Sequence, residues 1–308
     1  MAEEKNLAFI LPVYRGKDLH RTLHSLAAQT DRGFTVYLSD DACPGDPSAL
    51  ASEFEDAFDL RCTRFGESLG EVSRSRHLER SLALAGREEF VCFLEEGTVL
   101  APNCVSRLRK TVSRHPEYHV YHWNTELVNA DGTLAEKVRR YGASLSVEGL
   151  FRKLFLKDYP APLSSFVFRR ETLLSRGVFD GTLYRTDFQN LFACAKDKGV
   201  RTVRWARIRE RADRTDMPSV AERKTLSLLA FFRWSEPFFG DSYPLSVGDR
   251  LDLFAATAAR LFPDYTDGEI KERFMSFAVC QGTFRKLKAA SALRSALKAR
   301  TAELKGKN

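Results

Sequence analysis

Three short apolar segments, each closed by polar or acidic residues, most constrain how this chain folds. Leu7 to Leu11 runs into Pro12-Val13-Tyr14, Thr35 to Leu38 leads to Asp40-Asp41, and Phe90 to Leu94 ends in Glu95-Glu96-Gly97. Between them lie stretches with helical spacing. Leu19, Leu23 and Leu26 follow Asp18, and Leu78, Leu82 and Ala85 fall within about Ser73 to Ala85. Strand-helix alternation with short connections predicts an α/β domain built on a mostly parallel sheet. Such a sheet meets its ligand at the carboxyl ends of neighbouring strands, so the acidic strand ends mark one candidate site.

Local signals divide the rest of the chain. Pro12 is expected to close the first strand and Asp18 to cap the first helix. Cys43-Pro44-Gly45-Asp46-Pro47 predicts a loop, with Ser48 capping the helix after it. A strand near Leu60 to Arg64 leads into Gly66-Glu67-Ser68-Leu69-Gly70, and Pro102 starts a helix carrying Val105, Leu108 and Val112. Further strands are expected at Tyr118 to Trp123, Phe166 to Phe168 and Val200 to Ile208, with a hairpin-like turn at Asn129 to Gly132. Helices are expected from Arg170 and from Asp187. Beyond Met217-Pro218 no strand is evident, and Leu226 to Trp234 and Leu251 to Leu261 have helical periodicity. The expected organisation is an α/β domain over 1–217 and a helical region over 218–308, which suits a chain of 308 residues.

Charge excludes one class of partner. Lys271 to Asn308 holds ten Lys or Arg against two Glu, a surplus larger than the formal +7 of the whole chain. The basicity therefore belongs to the tail, and no basic face interleaved with aromatics points to nucleic acid. The six cysteines show neither C-x-x-C pairs nor regular spacing, which predicts reduced thiols and a cytoplasmic protein. The polar start, Met1 to Asn6, predicts no signal peptide, and no apolar run approaches the ~20 residues of a membrane helix.

These residues, taken in order, resemble the family-2 glycosyltransferases. Phe9 to Tyr14 resembles that family's opening strand, and Leu26-Ala27-Ala28-Gln29-Thr30 its Leu-x-x-Gln-Thr helix end. Asp40-Asp41 resembles its Asp pair. Leu69 to His77 resembles its Gly-Leu-Ser-x-Ala-Arg-Asn stretch, with Arg76 at the Arg and His77 replacing Asn. Glu95-Glu96-Gly97 stands where the family has Asp-x-Asp, Gly177-Val178-Phe179-Asp180 resembles Gly-Gly-Phe-Asp, and Thr186-Asp187 falls at its Glu-Asp. The similarity spans residues 7 to 215. It implies a GT-A fold, Rossmann-like with helices flanking the sheet, followed here by a C-terminal helical extension. It also implies inverting transfer of a sugar from a nucleotide diphosphate sugar to a glycan or lipid-linked acceptor, as in polysaccharide biosynthesis. Pro12, Tyr14, Asp40, Asp41, Arg76, Glu95 and Glu96 would then line the donor site, with Asp41 accepting from the base and Asp187 as the catalytic base.

The departures carry chemical consequences. Negative charge grows on the departing diphosphate, and a divalent cation held by carboxylates normally neutralises it. The resemblance implies Mg²⁺ or Mn²⁺ at Glu95 and Glu96, but Gly97 supplies no ligand; the extra methylene of Glu adds about 1.5 Å of reach. A solvated strand-end pair is the plainer reading of both glutamates. Asp187 equally suits an N-cap. Arg74 and Arg76 do not share a helix face, so one can reach the diphosphate while the other is solvated. Arg204, Arg207, Arg209, Arg211 and Arg214 offer extra cations to a site short of a metal ligand, or simply line an exposed strand. His115, His119 and His122 are read as structural. Together these leave three alternatives: a metal-dependent transferase, a metal-independent one, and a noncatalytic module that binds a nucleotide, a glycan or a protein. In the tail, Ala290, Leu293, Leu297 and Leu304 share one side of a helix flanked by Arg294, Lys298, Arg300 and Lys305. Such a helix either docks on the body or lies against the inner face of a membrane.

Overall fold

The computed structural model describes residues 5–70, 73–135, 138, 140–151, 153–154, 161–177, 186–212, 251–252, 255, 266–278 and 282–305. Two compact units are present: 1–154, 159–181 and 186–215 form the first, and 155–158, 182–185 and 216–308 the second. The first unit contains β1 (Leu7–Val13), α1 (Leu19–Ala27), β2 (Phe34–Asp40), α2 (Pro47–Ser52), β3 (Asp59–Arg64), α3 (Arg74–Leu82), β4 (Phe90–Phe93), β5 (Val99–Leu100) and α4 (Cys104–Arg114). It continues through β6 (Val120–Val128), β7 (Ser144–Leu145), α5 (Val147–Phe151), β8 (Phe166–Arg169), α6 (Arg170–Arg176), α7 (Thr186–Ala195) and β9 (Val200–Arg211).

One nine-stranded sheet runs in the order β3-β2-β1-β4-β8-β6-β9-β5, with β7 also on β9. The first four strands are mutually parallel, β8 is antiparallel to both β4 and β6, and β9 is parallel to β6. Only β5, β7 and β8 oppose the common direction, so the α/β sheet is mostly parallel, as predicted. Every residue of β1 and β2 is buried, as expected of strands covered on both faces. Phe9 packs edge-on against Phe34 at 5.3 Å and stacks with Trp123 at 6.4 Å. Leu19, Leu23 and Leu26 of α1, spaced at four and three residues, are buried in the same core. Each such side chain contributes about 1.5–3 kcal/mol of burial.

Several boundaries differ from expectation for identifiable reasons. Pro12 does not close β1 but lies within it, paired in register with Ser39. Ile10 accepts from Leu94 on the β4 side and Val13 accepts from Asp41 on the β2 side, so the missing N–H of Pro12 faces β4. There the ladder has already ended at Ile10–Phe93, and no bond is lost. Helix α2 is capped by Asp46 rather than Ser48. Its carboxylate accepts from the Ser48 and Ala49 amides, with Pro47 in the first helical position. Strand β9 continues three residues past Ile208, because residues 204–206 bulge out between the Trp123–Val203 and Asn124–Arg207 pairs. Trp205, with φ of 64°, lies at that bulge.

In the second unit, α8 (Asp267–Ala278) and α9 (Thr283–Lys305) are helical, as are residues 251–252 and 255. Helix α8 opens with a capping box: Glu269 accepts from the Thr266 amide, and Thr266 Oγ1 accepts from the Glu269 amide. Leu293 and Leu297, which carry the apolar side of α9, are buried, while Arg294 and Lys298 are exposed. The stretch Leu226 to Trp234 and most of Leu251 to Leu261 lie outside the described residues. No described helix is long and apolar enough to cross a membrane.

Candidate active site

The ends of β1, β2 and β4 meet as the sequence predicts, but the carboxylates are used differently. Asp41, one residue past β2, has a side chain only 1% exposed. It accepts from Ser68 Oγ at 2.8 Å and from the Leu69 and Gly70 amides at 2.9 and 2.7 Å. Arg80 also donates to it, and His77 Nδ1 lies 3.0 Å away. Burial alone would raise its pKa, but the Leu69, Ser68 and Gly70 bonds outweigh burial and hold it below the ordinary carboxylate value. Asp41 thus organises the 68–70 loop from beneath. Gly70 is required there, since a Cβ would stand 2.1 Å from Tyr14 Cε1 and 2.7 Å from Asp41 Oδ2. Burial lowers the His77 pKa to about 4 despite the neighbouring Asp41, so this imidazole is neutral near pH 7.

Glu96 closes the other side of the cluster. Its Oε1 accepts from the Tyr14 amide at 2.6 Å and the Arg15 amide at 3.1 Å, tying the end of β4 to the end of β1. The Tyr14 ring then meets His77 edge-on at 5.0 Å. Glu95 is paired with Arg74, the first residue of α3, and its amide donates to Ser164 Oγ at 3.0 Å. Ser164 leads to a buried polar group that the sequence did not announce. Thr98 Oγ1 lies 3.0 Å from Ser164 Oγ and donates to Glu210 at 2.5 Å. Burial raises the Glu210 carboxyl to about 7, against the pull of Thr98, Ser164 and Arg74.

Gly97 has a backbone reason to be glycine. Its φ is +87°, and its amide donates to Thr22 Oγ1 of α1 at 2.9 Å. A Cβ there would stand 3.1 Å from Asp18 Cβ and 3.8 Å from Asp18 Oδ2. The side chain of Asp18 therefore stands against the place a motif carboxylate would take. Asp18 occupies the N-cap position of α1 but makes no side-chain cap bond. Its carboxylate instead lies 3.8 Å from Arg211 Nη1 and 4.0 Å from Arg21 Nη1 of the same helix.

Other predicted residues distribute as follows. Asp40 holds the turn after β2, accepting from the Cys43 amide and from Arg64, both at 2.9 Å. Arg76 is exposed on α3, and its amide is capped by Ser73. Asp187 lies in the first turn of α7, which packs on α6, β6 and β8. Residues 178–180 of the Gly-Val-Phe-Asp motif and the side chain of Asp187 lie outside the described residues. The three histidines separate: His115 faces Arg201, His119 bonds Thr172, and His122 lies between Tyr141 and Phe166. Arg207 and Arg209 both bind Glu126, Arg204 lies over the Trp205 ring, Arg211 lies 3.8 Å from Asp18, and Arg214 lies outside the described residues.

The donor set does not fit the expected cation. Gly97 supplies no carboxylate, Glu95 is engaged by Arg74, and Glu96 by two backbone amides. Among the described residues no three His, Cys, Asp or Glu side chains are grouped to share one ion.

No protein-family model matches this sequence, and no curated protein matches it at the sequence level. Solved structures do. S. aureus TarS 1–349, in complex with UDP-GlcNAc, aligns at a TM-score of 0.57 and 12% identity over 95% of this chain and 81% of that one. GalNAc-T7 with UDP, GalNAc and Mn²⁺ aligns at 0.57 and 12%, over 94% and 57% of the two chains. Mannosyltransferase PcManGT from Pyrobaculum calidifontis, with GDP-Man and Mn²⁺, aligns at 0.51 and 14%, over 98% and 87%. The chain spans 55% of the longer TarS chain. Sheet order, strand directions and these alignments together establish that the chain has the GT-A glycosyltransferase fold.

Proposed function

We propose that this protein is an inverting glycosyltransferase that moves a sugar from a nucleotide diphosphate sugar to a glycan or lipid-linked acceptor. The observation that carries the reading is the convergence of Tyr14, the Asp41-held 68–70 loop, Arg74 and the 95–98 turn at the carboxyl ends of parallel strands. The nucleotide sugars bound by TarS and PcManGT support a donor of the same class. Tyr14 and the 68–70 loop would face the nucleotide, with Asp41 acting through the loop it holds. Arg76, exposed near the start of α3, would meet the diphosphate together with Arg74.

In the reaction, the acceptor hydroxyl oxygen attacks the anomeric carbon as its bond to the diphosphate breaks. Asp187 takes the hydroxyl proton, and the departing nucleoside diphosphate keeps the bonding electron pair. The 1–217 and 218–308 division, a reduced cytoplasmic setting and membrane contact through the basic tail belong to the same proposal. With Leu293 and Leu297 buried, that contact would use the cations of α9 rather than these two leucines.

A second reading, a noncatalytic module binding a nucleotide, glycan or partner, is favoured by one observation: the carboxylate of Asp41 is already satisfied by its own loop. Donor hydrolysis and transfer, measured with UDP- and GDP-sugars, separates the two. Turnover that falls about 10²–10⁴-fold in Asp187→Asn is expected of the enzyme. Nucleotide binding without turnover on any acceptor would establish the module instead.

A further inference from the structure

We infer that His20 and His24 form a chelating site on the outer face of α1 for a divalent transition ion that takes nitrogen ligands at right angles, Cu²⁺ or Ni²⁺. This site is independent of the donor-site reading. The two imidazoles stand four residues apart, so one helical turn brings them to the same face. Both are exposed, while Leu19, Leu23 and Leu26 fix another face of α1 in the core. The other four of the chain's six histidines are placed elsewhere: His77 and His122 are buried, His115 faces Arg201 and His119 bonds Thr172.

The two Nε2 atoms are 3.0 Å apart. Metal–imidazole bonds of about 2.0–2.1 Å that span this distance meet near a right angle, whereas a tetrahedral angle would put the nitrogens about 3.3 Å apart. Right-angled nitrogen pairs suit tetragonal Cu²⁺ and Ni²⁺, and Cu²⁺ also leads the general order of affinities. The ring centroids are 4.1 Å apart, little more than the nitrogens, so the rings fold toward each other rather than line up end to end. An ion held by both nitrogens takes the place of the single proton that neutral rings can share. Phe54 steadies the pair: buried in the core after α2, it meets His20 at 5.9 Å and His24 edge-on at 5.1 Å. Rings already held in place lose less freedom on binding. Among the described residues no third His, Cys, Asp or Glu joins them, so water fills the remaining positions and the ion exchanges. Helix α1 also holds the 95–98 turn through Thr22, so an ion that clips one turn of this helix stiffens a wall of the candidate active site.

Titration calorimetry of the untagged full chain with Ni²⁺ and Cu²⁺, alongside Zn²⁺, tests this. One ion per chain is expected, and the Cu²⁺ complex should show two imidazole nitrogens in its electron paramagnetic resonance spectrum. His20→Gln and His24→Gln should each weaken binding about 10²-fold, because a lone imidazole loses the gain from a linked second ligand. The imidazoles bind as neutral bases, so affinity should also fall as pH is lowered. Binding that survives in both single variants, or Zn²⁺ held more tightly than Ni²⁺ and Cu²⁺, would overturn the inference. So would a Cu²⁺ spectrum with fewer than two nitrogens. Circular dichroism reports whether each variant folds. If neither does, the wild-type spectrum decides alone.

Discussion

Gly97 shows how much one residue can change the chemistry available to a fold. The sequence made plain that the second motif carboxylate is missing. It did not reveal that the backbone there is left-handed and pressed against Asp18. A simple reversion is therefore expected to fail. Gly97→Asp should lower the unfolding free energy by about 1–3 kcal/mol, the usual scale for a strained φ plus a displaced neighbour. In urea denaturation a variant as stable as wild type would show that this turn relaxes freely. Arg211 was named from the sequence only as one of five arginines, and Glu210 was not singled out at all. Each is one charged residue in an arginine-rich strand, and strand alternation turns Glu210 to the buried face while Arg207 and Arg209 stay exposed on the other.

At the scale of elements, two clasps hold the site's walls. Gln29 at the end of α1 donates to the Ser25 and Ala101 carbonyls and accepts from the Val105 amide, locking α1 to the start of α4. This gives the Leu-x-x-Gln-Thr similarity a packing role. The second clasp is Asp41 with Ser68, Leu69, Gly70 and Arg80. Asp41→Asn keeps the shape but leaves Arg80 without its charge partner. The expected cost is about 2–4 kcal/mol, somewhat below that of a fully buried pair because Arg80 is partly exposed. Limited proteolysis should then cut within 66–70 at protease concentrations that spare wild type. Unchanged protection together with unchanged stability would mean the loop is held by other contacts.

For the whole molecule, buried histidines predict sensitivity to acid. Burial lowers His77 to about 4 and His122 to about 3, against an ordinary 6.5. Between those values and 6.5 the unfolded chain binds protons that the folded chain does not, so stability falls as pH falls through that window. The combined loss from pH 6.5 to 4.5 is on the order of 2–4 kcal/mol at about 1.4 kcal/mol per unit. Glu210 acts in the opposite sense. Its carboxyl is raised to about 7, and its contribution is lost as pH rises from 4.5 through 7. His122 packs against Tyr141 and Phe166, so His122→Phe suits its surroundings and should flatten the acid limb of the stability profile. An acid limb as steep in the variant as in wild type would assign the effect elsewhere.

Strand-helix alternation, the apolar stripes of α1 and the polar ends of β1, β2 and β4 are local properties of the chain. They were enough to determine an α/β sheet and which strand ends carry its polar residues, because burial and hydrogen-bond satisfaction act on short periodic patterns. Boundaries failed where a distant neighbour decided: Pro12 sits inside β1 because β4 has already ended, and β9 outlasts Ile208 because β6 continues beside it. What each carboxylate does was settled by tertiary structure alone. Asp41, Glu95 and Glu96 find donors 29, 21 and 82 positions away, and Asp18 meets Gly97 only when α1 packs on the turn after β4. Charge and hydrogen-bond partners come from whichever segments the fold brings within a few ångströms, and no local pattern encodes that choice.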